Sequence, residues 1–127
     1  MVHLVYCDDK EKVLEKILEG KKTMIIRGAA GRKIPHSRVF EGETLYFMKK
    51  GSKKISAKAT VENVQNYVKL NDEEIIKAIN DNQDRLNLSE KQKLRWHKKA
   101  LCLVGFKELQ EISVLDFEHQ GNMDDWM

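Results

Sequence analysis

The chain has 127 residues, 41% apolar and 34% charged, the balance of an ordinary globular domain that builds its core without disulfides or metal. No apolar run approaches the roughly 18 residues a membrane helix takes, and Met1-Val2-His3-Leu4-Val5-Tyr6 lacks the basic and apolar regions of a secretory signal, so a cytoplasmic location and no membrane partner are expected. Two isolated cysteines, Cys7 and Cys102, and four scattered histidines offer no metal-ligand spacing, so no metal or other cofactor is expected and the thiols read as buried and reduced.

His3 to Cys7 reads as a first strand. Asp8 or Asp9 is placed to cap a helix with Val13, Leu14, Ile17 and Leu18 on its buried face, and Gly20 to close it in the left-handed conformation. Lys22 to Arg27 follows as a strand, whose alternation sets Thr23, Ile25 and Arg27 on one face and Lys22, Met24 and Ile26 on the other. Residues 28–38 form a loop containing the only proline, Pro35. Thr44 to Met48 is a strand joined through Lys50-Gly51-Ser52 to a return strand from Ile55 to about Tyr67. There the alternation Ile55, Ala57, Ala59, Val61 slips phase near Asn63, as a bulge would produce. Asn71 or Asp72 caps a second helix with Ile75, Ile76 and Ile79 inward. Ser89-Glu90-Lys91-Gln92 matches a capping box for a third, from about Glu90 to Lys98. Ala100 to Phe106 is an apolar strand and Glu111 to Phe117 offers a last one, before a tail at Asp124-Asp125-Trp126 that is expected to fray. No repeat or linker divides the chain, so one domain over residues 1–127 is expected, of the α+β class, with a mixed, curved or closed sheet and helices outside it.

The net charge of +3 conceals an asymmetry. From Gly20 to Lys58 stand eleven Lys or Arg against two acids, Glu41 and Glu43, so this segment carries +9 and the remainder −6. Such polarity focuses a positive field on a nearly neutral molecule. Arg32, Lys33 and Arg38 in the loop, with Lys50, Lys53 and Lys54 at the turn, are candidate phosphate-tracking side chains; solvated loops are the bland alternative. Arg27 is suited by its planar fork to a phosphate or carboxylate, or to an acidic neighbour that orients a cleft. Tyr46 and Trp96 are candidate stacking surfaces for a base, although a tryptophan on a helix is more often core.

Residues 17–27, Ile-Leu-Glu-Gly-Lys-Lys-Thr-Met-Ile-Ile-Arg, resemble the signature of the ASCH domain family of the PUA-like superfamily, Gly-x-Lys-x-x-Glu-x-Arg at a helix-to-strand junction. Gly20, Lys22 and Arg27 match, whereas Ile25 stands where the family places Glu. Gly42-Glu43-Thr44-Leu45-Tyr46-Phe47 is similar to the family's Gly-Asp followed by an apolar strand, and the resemblance runs from about Val13 to Tyr67. It implies a PUA-like barrel of about five to six strands, about three peripheral helices, and a cleft beside the signature. Relatives of this kind bind RNA or hold modified bases in such clefts, and one group removes the acetyl group of acetylcytidine with a Lys, a Thr and a Glu. By position the Lys falls on Lys22, the Glu on Glu62 and the Thr on Ile25. Isoleucine offers no nucleophile, so that mechanism cannot operate unchanged.

Three readings result. The first is an RNA- or nucleotide-binding domain with a basic cleft beside Gly20 to Arg27. The second is a hydrolase acting on a modified nucleoside or RNA, with Lys22 and Glu62 as acid–base groups; an ion pair bridging two strands is the structural alternative for that couple. The third is a protein-interaction module with a basic face.

Overall fold

The structure, a computed structural model, describes residues 2–31, 36–51, 54–116 and 123–126. Strand β1 (Val2–Cys7) leads through a tight turn into helix α1 (Val13–Leu18). The turn, not a side-chain cap, starts this helix: Asp8 Oδ1 accepts the Lys10 N–H at 2.9 Å, and Lys12 stands at the N-cap with φ +53° and no capping hydrogen bond. At the other end Gly20 behaves as expected. Its φ is +77°, its N–H donates to Ile17 O, and the Lys21 N–H donates to Lys16 O, the paired bonds of a Schellman closure.

Strand β2 (Met24–Ala29) is followed by β3 (Thr44–Lys49) and β4 (Lys54–Tyr67), a hairpin turned at Lys50-Gly51, where Gly51 has φ +87°. Helix α2 (Asp72–Asp81) opens on a reciprocal capping box between Asn71 and Glu74. A single turn, α3 (Gln83–Leu86), occupies the polar stretch after it, and α4 (Glu90–Arg95) starts on Ser89, whose hydroxyl accepts the Gln92 N–H at 3.2 Å. The chain ends in β5 (Ala100–Asp116) and β6 (Met123–Trp126).

The sheet order is β2-β5-β4-β3-β1-β6, six strands curled into a half-barrel. Strand β1 runs parallel to both β3 and β6; the other pairs are antiparallel, so the sheet is mixed. Its concave side holds one core, built from Val5, Ile25, Phe47, Val61, Val104 and Phe106 and closed by Val13, Leu14 and Ile17 of α1. On the convex side Met24, Ile26, Leu101 and Leu103 pack beneath Ile75, Ile79, Leu86 and Trp96 of the α2–α4 layer. The two faces of β2 are those the alternation predicted.

Four further details depart from the expectations. Ile76 is 51% exposed because it lies about 100° around the helix from Ile75, and Ala78 takes the inward place. Helix α4 ends at Arg95 instead of Lys98. The two expected last strands are one continuous β5: Glu108, at φ +56°, lets the strand bend without stopping, and the pairing with β4 shifts register on either side. The tail does not fray, since β6 pairs with β1 and Trp126 is fully buried in the concave core. No helix among the described residues is long and apolar enough to cross a membrane.

Candidate functional site

The pleat of β2 delivers Arg27 to the concave side, in register with Cys102 of β5. Its guanidinium reaches the far end of β1, where Nη2 donates to Tyr6 O at 2.7 Å while Nη1 donates to Ile26 O at 2.8 Å. The Nε–H has no partner. The same guanidinium lies 5.3 Å from the centroid of Trp96, and that of Arg95 lies 4.8 Å from it. Arg95 also donates through Nη1 to Asp8 Oδ2 at 3.2 Å. These groups, with Tyr6, Lys50 on the β3–β4 turn and Gln92 on α4, line a small cleft. Its volume is about 30 Å³, room for one or two waters. Gln92 is buried, and its Oε1 has no partner either.

Three cations thus face one carboxylate around a tryptophan. Burial lowers the Arg27 pKa to about 10, which leaves it charged at neutral pH. The same burial pushes the Cys7 thiol up to about 11 and Cys102 to about 12, so both buried thiols are unreactive there.

Lys22 is placed elsewhere. It is 3% exposed, on the convex side, and its Nζ donates to the carbonyl of Leu86 at the end of α3. Lys16 donates to Asn87 O just beyond, at 3.0 Å. Burial, reinforced by the charges of Arg27 and Lys16, lowers the Lys22 pKa to about 7. Glu62 is the additional residue of the β4 bulge, where Val61 faces Phe106 and Asn63 faces Gly105. It is exposed, and its Oε1 meets Arg85 Nη2 at 3.1 Å. Arg85 in turn donates through Nε to Thr23 Oγ1 at 3.0 Å. Lys22 and Glu62 are therefore bonded to separate partners and not to each other.

Of the remaining candidates, Lys50 reaches the cleft and Trp96, only 8% exposed, is both its wall and part of the helix-side core. Tyr46 lies instead on a shallow groove over the outer face of β3–β5, with Lys58, Thr60 and Gln110. Arg38 is exposed on the turn before Val39. Arg32, Lys33 and Lys53 lie outside the described residues, as does the side chain of Lys54. Sequence reasoning missed Asp8, Gln92 and Arg95 as cleft residues. Arg95 adjoins Trp96, a usable signal; Gln92 read only as a helix-cap residue and carried none.

The mixed half-barrel, with α1 against its concave core and α2–α4 on its convex side, has the fold of solved ASCH domain structures. The ASCH protein of Zymomonas mobilis superposes with a TM-score of 0.68 at 15% sequence identity, over 91% of this chain and 73% of that one. A variant of the same protein gives 0.68 at 16% identity, over 91% and 75%. No family model matches the sequence, and comparison with curated proteins finds no match.

Proposed function

We propose that the chain binds RNA or a nucleotide-like ligand, with a base entering the cleft beside Trp96 and phosphates met by cations at its rim. The observation that carries this reading is the convergence of Arg27, Lys50 and Arg95 on one concave surface around an indole. A planar guanidinium now lies over that indole, and a planar base has the same shape requirement. The Arg95–Asp8 pair that holds it is partly exposed, with side chains 49% and 28% accessible, and such pairs contribute at most about 1 kcal/mol. Displacing Arg95 to open the cleft therefore costs little. The fold supports the same reading, because PUA-like domains present a cleft of this kind to RNA. Hydrolysis draws less support: the Lys22 amine is engaged by Leu86 and the Glu62 carboxylate by Arg85.

Fluorescence anisotropy with a mixed-sequence single-stranded RNA tests the proposal. Affinity is expected to fall steeply with salt, and Lys50→Ala to lower the slope of log K against log salt by about 0.7, one phosphate contact. Absence of binding at low salt, or an unchanged slope in the variant, defeats the reading.

A further inference from the structure

The helix layer carries an unfilled groove on the side of α4 turned away from the cleft. Glu90, Lys93, Leu94 and His97 recur at the spacing of one helical face, while Gln92 and Arg95, which line the cleft, stand on the opposite one. Across from that first face, Ile76, Ile79 and Asn80 of α2 form the second wall of an open groove of about 480 Å³. Ile79 is buried, whereas Ile76 is 51% and Leu94 79% exposed. Two of the four large apolar side chains exposed among the described residues therefore border one hollow. A single exposed leucine is ordinary surface. A projecting leucine beside a hollow walled by isoleucines is a knob and a hole on the same patch. An isologous contact requires that combination, because around a two-fold axis one patch meets itself and each knob fills the hole of the other copy.

The charges fit the same partner. Helix α2 bears Asp72, Glu73, Glu74 and Asp81 against Lys77, whereas Lys91, Lys93, Arg95, Lys98 and Lys99 stand on or just after α4 against Glu90. A partner of one charge sign is repelled by one wall or the other. A second copy, turned by the two-fold, sets its basic α4 over the acidic α2. The ion pairs now on these helices, Lys77–Asp81 at 2.9 Å and Lys93–Glu90 at 3.4 Å, face solvent and are weak, so re-pairing them across the contact costs little.

We infer that two copies of the chain pair through this face around a two-fold axis, Leu94 of each entering the groove of the other beside Ile76.

A footprint of two short helices is smaller than a standard interface, so a dissociation constant on the order of 10 μM is expected. Sedimentation equilibrium of the whole chain from about 1 μM to about 1 mM should show reversible dimers. Leu94→Glu and Ile76→Lys change solvent-facing positions, so each variant should melt close to the parent. Each alone should raise the dissociation constant at least about tenfold, since the two-fold repeats the damage. Mixed in equal amounts, the two variants should pair with each other: one contact is then the native one, and the second sets the introduced carboxylate against the introduced ammonium. A chain that stays monomeric throughout overturns the inference and assigns the groove to some other partner. Dimers that neither substitution weakens, or a mixture that pairs no better than each variant alone, overturn it as well.

Discussion

Lys22 shows how one side chain ties the signature segment to the helix layer. It precedes β2, points to the convex side and, with Lys16, donates to the carbonyls that end α3, where cations are favoured and orphan acceptors need donors. The cost is desolvation of an ammonium. An ordinary lysine is protonated below about pH 10.5 and this one only below about 7, so between those values the unfolded chain binds the additional proton. Stability therefore rises with pH through that window and is flat from this source on either side. The melting temperature of the parent, measured relative to Lys22→Met so that other titrations cancel, should climb from pH 7 to pH 10. A difference independent of pH shows that the amine is not desolvated. The same residue bears on catalysis: an amine of pKa about 7 suits acid–base chemistry, but its hydrogen bond goes to a backbone carbonyl.

At the scale of elements, local signals decide the ends of helices and tertiary pairing decides the strands. Glu74 N–H donates to Asn71 Oδ1 at 2.9 Å and Asn71 N–H to Glu74 Oε1 at 3.0 Å, so Asn71→Ala is expected to cost about 1 kcal/mol. Gly20→Ala, forced into φ +77°, is expected to cost about 1–2 kcal/mol. Thermal melts followed by circular dichroism should show each as a fall of about 3–8 °C; an unchanged midpoint in Gly20→Ala means the closure of α1 does not hold the signature in place. The β4 bulge has a different consequence. By adding Glu62 between Val61 and Asn63 it turns Val64 toward the concave core and leaves Glu62 outside, within reach of Arg85 from α3. The phase slip in the sequence announced the bulge. It did not announce Arg85, because contact between residues 23 positions apart depends on where α3 lands.

For the molecule as a whole, β6 closes the far edge of the sheet opposite β2. Trp126 inserts among the concave-side residues, and its Nε1–H donates to His3 Nδ1 at 3.3 Å. That fixes the tautomer of the fully buried His3, whose Nε2–H then donates to Glu43 Oε1 at 3.0 Å. One chain of hydrogen bonds thus joins β6, β1 and the residue before β3. Trp126→Ala is expected to lose about 3–5 kcal/mol in urea unfolding, the range for a buried aromatic. A loss below about 1 kcal/mol would place β6 outside the cooperative core. Neither this chain nor the cleft is contiguous in sequence: the cleft gathers Asp8, Arg27, Lys50, Gln92 and Arg95 from four separate stretches.

By itself the sequence determined the α+β class, the two faces of β2, the glycine closure of α1, the caps of α2 and α4 and the β4 bulge. These follow from interactions within a few residues or from a periodicity that burial imposes on each element. It also singled out Arg27, Lys50 and Trp96. Tertiary structure alone decided that Arg27 spends its fork on two backbone carbonyls, that Glu62 answers to Arg85, that Tyr46 faces a different groove, and that Trp126 is core. Each of those outcomes is a partnership between distant segments, settled by which buried polar groups and apolar surfaces had to be satisfied once the sheet had curled.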